Sequence, residues 1–244
     1  MPARHFPASV TRRLLPGRGC LAGFVLLILL LFMPLPALAL NLSLQPAHYA
    51  EAMEFYYQHP NPELLKPLLR SFAEAGWLGH AEKRLSVAAF LAELAWHGQL
   101  DLARLARETA DLGRDARLTL AWALHLANAD NKKDSLENLL GAGDRRFASH
   151  IRQSPAGIRQ WNLAAEPSVL GMYWSAFMAC GNLAYVDAIL DCALNLRNFE
   201  LARRAAASLY EYEARHPLVE KKLRDRLKNA TVNERERLET MLHH

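Results

Sequence analysis

Nine histidines follow the first forty residues, at 48, 59, 80, 97, 125, 150, 216, 243 and 244. Two imidazoles four apart on a helix would offer a metal ion two nitrogens on one face. No such pair occurs, and neither does a His-Glu-x-x-His. The Gly-x-Ser-x-Gly elbow of serine hydrolases and the glycine-rich phosphate loops are also missing. Glu211 and Glu213 lie two apart, so a helix points them in different directions. A glycosidase would need two carboxyls converging across a cleft. His125 falls in an apolar run and is expected to be a hydrogen-bonded core residue. The residue types therefore give no expected catalytic group, metal ligand or cofactor.

One stretch has an uneven charge. Between Gly141 and Ala165, Arg145, Arg146, Arg152 and Arg159 face a single acid, Asp144, with His150 and Trp161 among them. Guanidinium forks beside an aromatic ring suit a carboxylate, a phosphate or an acidic partner. The same arginines would equally serve a solvated connector that pairs with the acidic faces of neighbouring helices. Arg145, Arg146, Arg152, Arg159 and Trp161 are the binding candidates. Trp96, Trp122 and Trp174 lie in apolar helices and are expected to fill the core.

The elements that position these residues read as helices. Beyond residue 39 the chain has only five Val and three Ile, too few for a sheet of ordinary size. Ala, Leu, Arg and Glu dominate, and they lose little rotamer freedom in a helix. Helices are expected over 47–58, 62–75, 81–97, 100–112, 117–127, 168–180, 183–195, 199–213, 218–229 and 233–242. A short one should start at Asp134-x-x-Glu137, a capping box, and Asn233-x-x-Glu236 should cap the last helix. The stretch 141–167, with Pro155, Gly157 and Pro167, reads as an irregular connector. The runs 81–97 and 117–127 are apolar on nearly every side, as buried helices are. Residues 218–242 form charged amphipathic helices. Across 211–239, eight basic and seven acidic residues make a solvated face or a helix-pairing surface. Residues 40–244 are expected to form a single all-α domain of stacked antiparallel hairpins.

The first 39 residues differ from the rest. They carry Arg4, Arg12, Arg13 and Arg18 and no acid, so the net charge of +4 belongs to them. The remaining 25 basic and 25 acidic residues cancel, which excludes a nucleic-acid binder read from bulk charge. A basic start, the apolar run Leu21–Met33 and Ala37-Leu38-Ala39 are the three parts of a signal peptide, 1–39. An uncleaved anchor over 21–40 is the alternative, since that uncharged run is about long enough to span a bilayer. Either way residues 41–244 are exported, and contact with the membrane depends on whether 21–40 is retained. Cys20 precedes the apolar run, whereas a lipidated cysteine follows it. Cys180 and Cys192 sit on successive helices, with Cys192 ~13 Å along its helix from the turn. A disulfide needs Cα atoms within ~7 Å, so free thiols are expected.

Three turns share a grammar: Trp96-His97-Gly98-Gln99-Leu100, Ala179-Cys180-Gly181-Asn182-Leu183 and Leu196-Arg197-Asn198-Phe199. Each is a helix end, a polar turn and a large apolar residue that plugs the hairpin mouth. The pattern resembles tetratricopeptide-type helical hairpin arrays. Its spacings of 83 and 16 residues depart from that family's period of ~34, so no peptide-binding residue carries over. Residues 168–216 also resemble exported all-helical proteins of bacteria, a likeness that implies no activity. The expectation for function is an exported or membrane-anchored helical interaction or scaffold protein of the cell envelope, periplasmic or secreted if freed, with a protein partner and no catalysis. The alternatives are an envelope hydrolase using groove carboxylates and a membrane-anchored assembly factor.

Overall fold

The structure, a computed structural model, describes residues 46–128, 136–137, 139–194 and 198–242. The leader 1–39, the alternative anchor 21–40, Cys20, Asp134 and His243-His244 lie outside the described residues. The protein is all-α: eleven α-helices are delimited among the described residues, and no strand. They are α1 (Pro46–Glu54), α2 (Leu65–Glu74), α3 (Ala81–Trp96), α4 (Leu102–Glu108), α5 (Arg114–Leu126), α6 (Arg145–Gln153), α7 (Val169–Cys180), α8 (Leu183–Leu194), α9 (Phe199–Glu213), α10 (Pro217–Asn229) and α11 (Val232–Leu242). None is long and apolar enough to cross a membrane.

The core is organised around α3. Every residue from Val87 to Leu94 is buried, because α5 and α7 both pack extensively against this helix. Each fully buried Leu or Phe removes enough apolar surface from water to contribute about 1.5–3 kcal/mol. Phe90, Leu91 and Leu94 of α3, Phe72 of α2 and Phe177 of α7 are of this kind. Helix α7 comes unusually near α3 at Gly171: a Cβ there would lie 2.6 Å from Ser86 Oγ. Glycine is what allows the two backbones to approach. Helix α1 packs on α2 and α7, and α8, α9, α10 and α11 follow α7 in a run of neighbouring contacts.

Local signals set the boundaries. Asn61, Asp101 and Asn198 each accept a hydrogen bond from a backbone N–H of the turn they start. Gly98 and Gly181 take left-handed backbone (φ 69° and 67°) just beyond the ends of α3 and α7. Three expectations are corrected. Residues 145–153, inside the supposed irregular connector, form α6, whose Ala148 and Ile151 are buried. The last helix is capped by Thr231 and Glu234: Glu234 N–H donates to Thr231 Oγ1 and Thr231 N–H donates to Glu234 Oε2. The Asn233–Glu236 pair does not play that part. Trp96 is 63% exposed rather than in the core: it is the last residue of α3 and faces an open hollow. Cys180 and Cys192 are free thiols, and His125 is buried with Nε2 3.0 Å from the Ser154 carbonyl oxygen.

Candidate functional site

Three helices end at one place. Trp96 and His97 at the end of α3, Leu126 and Asn128 at the end of α5, and Asn182 just past α7 all line a hollow of about 230 Å³. Glu93, Gly157, Ile158, Arg159, Gln160 and Tyr185 complete its wall. Helix C-termini carry partial negative charge from unpaired carbonyls, so their convergence favours cationic groups. Asn128 is the single described non-glycine residue with left-handed backbone (φ 50°). Asparagine tolerates that region better than most residues. Beside it, Ala127 forms an isolated bridge with Gly157, which ties the 157–160 turn against the end of α5.

Glu93 is at the centre of the polar groups and only 8% exposed. Its two oxygens have different partners. Tyr185 O–H donates to Oε1. Oε2 accepts from Cys180 Sγ at 3.6 Å and lies 3.5 Å from His97 Nε2. Cys180 Sγ is also 3.2 Å from the Ala176 carbonyl oxygen. Burial, together with the Glu93 carboxylate, pushes the Cys180 thiol up to about 11 and the Tyr185 phenol far above its usual range. Both therefore stay protonated donors at neutral pH. The Arg159 guanidinium lies 5.1 Å from the centre of the Tyr185 ring, a cation–π arrangement.

The five residues singled out by charge separate in space. Arg159 is exposed and lines the hollow. Arg145, Arg146 and Arg152 are on the exposed side of α6. Asp144, the one acid of the stretch, is buried and receives Arg114 of α5 at 2.7 Å. Arg152 approaches Glu137 only at 3.8 Å, and Arg145 and Arg146 form no ion pair with another described residue. Trp161 belongs to the core. It is 8% exposed, its Nε1–H donates to the Pro155 carbonyl at 3.1 Å, and its ring meets Trp122 edge-on. Sequence reasoning missed Glu93, Tyr185 and the exposed Trp96. The visible signal was the alignment of Trp96-His97-Gly98 with Ala179-Cys180-Gly181, which puts His97 and Cys180 at matching helix ends.

A second polar cluster is built around a buried histidine. His216 is wholly buried, with Nε2 3.1 Å from Glu54 Oε1 and Nδ1 3.2 Å from Tyr57 Oη. A carboxylate can only accept from Nε2–H, so Nδ1 accepts from the Tyr57 hydroxyl, and Gln58 donates to that hydroxyl at 2.7 Å. Arg215 reaches Glu54 Oε2 at 2.8 Å. Phe55, Phe177 and Tyr212 surround the ring. This network joins α1 to the α9–α10 junction, and its Glu54 and Tyr212 also line a hollow of about 360 Å³. Compared with family models, with characterised proteins and with solved structures, the chain finds no match.

Proposed function

We propose that the protein is an exported, non-catalytic helical interaction module whose exposed α6 arginines and Arg159 dock an acidic segment of a protein partner, with Trp96 at the rim of the hollow as its apolar anchor. The observation that carries this reading is the placement of an exposed Trp96 and an exposed Arg159 on one concave site. Tryptophan and arginine are the residue types that most often anchor protein interfaces. Arg145 and Arg146, exposed and without a described ionic partner, add positive charge on α6, apart from the hollow. Glu93 is the one carboxylate among the residues lining the hollow, which favours binding over a two-carboxylate hydrolase.

The helices are read as a stack of antiparallel hairpins, supported by the packing of α7 on α8, α8 on α9 and α9 on α10. The leader 1–39, or an anchor at 21–40, would deliver the stack to the cell envelope. N-terminal sequencing of the exported form distinguishes the two.

The docking test uses fluorescent oligoglutamate and oligolysine peptides with the full chain. Oligoglutamate should bind more tightly, weaken as salt rises, and lose at least tenfold in affinity in R145E/R146E/R152E. W96A, a change at an exposed site, should weaken binding without lowering stability. Equal affinity for the two peptides would end this reading.

A further inference from the structure

Glu93 in the last turn of α3 and His97, the residue that caps its end, are four apart, so both project on one side. Cys180 closes α7 at the same end. One ligand atom from each of the three, a Glu93 carboxylate oxygen, a His97 ring nitrogen and Cys180 Sγ, lies within 4.8 Å of the other two. We propose that these three residues bind one divalent cation of the zinc type, leaving a fourth coordination position open to the Trp96–Arg159 hollow.

The distances fit. Tetrahedral zinc with oxygen at ~2.0 Å, nitrogen at ~2.1 Å and sulfur at ~2.3 Å spaces its ligand atoms about 3.3–3.6 Å apart. The oxygen–nitrogen and oxygen–sulfur separations are 3.5 Å and 3.6 Å. Only the sulfur–nitrogen edge has to adjust, and His97 is exposed enough to swing. The ligand set of one carboxylate, one imidazole and one thiol suits zinc or cobalt(II) and not calcium or magnesium, which need oxygen cages.

Two further features match a metal site. Tyr185 holds Glu93 Oε1, which turns Oε2 toward the other two ligands. Ligating carboxylates are commonly oriented by such an outer hydrogen bond. The ends of α3, α5 and α7 supply a negative field around the position. On binding, the Cys180 S–H gives its proton to water and the sulfur becomes the metal's thiolate ligand, so affinity rises with pH. The site needs no protein partner, so it stands or falls apart from the docking reading above.

Cobalt(II) titrated into the reduced full chain tests it. One equivalent should give a thiolate-to-cobalt charge-transfer band in the near ultraviolet and the strong visible bands of four-coordinate cobalt. Zinc should bleach both. C180S should abolish the charge-transfer band, and H97A, a change at an exposed residue, should weaken binding at least tenfold. C192S and H243A/H244A should leave the spectrum as it is, and far-ultraviolet circular dichroism checks that each variant folds. A folded, reduced chain that gives no thiolate band overturns the proposal. So does a band lost in C192S, or binding that survives H97A and vanishes in H243A/H244A.

Discussion

The Tyr185 hydroxyl donates to Glu93 Oε1 and so fastens α8 to the last turns of α3 at the wall of the hollow. Both groups are buried, so neither recovers a full hydration shell if the other is removed. Tyr185→Phe should lower stability by about 1.5–3 kcal/mol, the usual loss for a hydrogen bond to a charged group. Glu93→Gln should cost less, because the amide oxygen still accepts from Tyr185. Urea unfolding of the two variants checks the order, and an unchanged midpoint for Tyr185→Phe would contradict it.

Acid should weaken the fold through His216. Burial, with the nearby charge of Arg215, lowers its pKa from the ordinary 6.5 to about 4. The unfolded ring takes up a proton near pH 6.5, whereas the folded ring resists until about pH 4. Stability from the neutral ring is therefore complete above pH 6.5 and is lost as pH falls from there to about 4. Glu54 opposes this, since burial raises its pKa despite Arg215. The groups facing the ring are Glu54, Tyr57, Tyr212 and Arg215, and the prediction follows the His216 shift. Melting temperature followed from pH 7 to pH 4 should fall in the native chain. It should fall much less in His216→Asn, whatever that variant's stability at neutral pH.

Gly171→Ala should destabilise by about 1–3 kcal/mol, because the new methyl group must displace Ser86 Oγ. Ser86→Ala in the same chain should remove the conflict. The added helix propensity of alanine, up to about 1 kcal/mol over glycine, should then restore or exceed the native stability. A double-mutant cycle by chemical denaturation reads the coupling directly. Additive effects would show that Ser86 is not the obstacle.

Tyr56 packs edge-on against Phe90, and its buried hydroxyl has no hydrogen-bond partner. Tyr56→Phe should raise stability by about 1 kcal/mol, since it removes a polar group that is buried without compensation. A fall in the unfolding midpoint would mean that the hydroxyl is bonded in solution.

Helix class and most helix limits were legible in the sequence because glycine, proline and polar caps break up a chain almost without β-branched residues. Helix α6 was not, since its apolar residues are few and its arginines suggest a loop. The two tryptophans exchanged roles for a tertiary reason. Trp161 lies on an irregular segment that folds back over Trp122, while Trp96 is the last residue of a buried helix and is exposed at the hollow. Arg159 was found by charge alone. His97 and Cys180 were individually visible and Glu93 was missed, because nothing local says that α3 and α7 end side by side.

Because α3 is covered by two helices, it cannot mature when it is made. Helix α5 begins soon after it, but α7 starts only at Val169, more than seventy residues downstream. Until that segment emerges, the apolar stretch Val87–Leu94 stays partly bare. A nascent chain cut short before α7 should therefore aggregate or be held by chaperones, whereas the whole chain shelters this segment with its own later part.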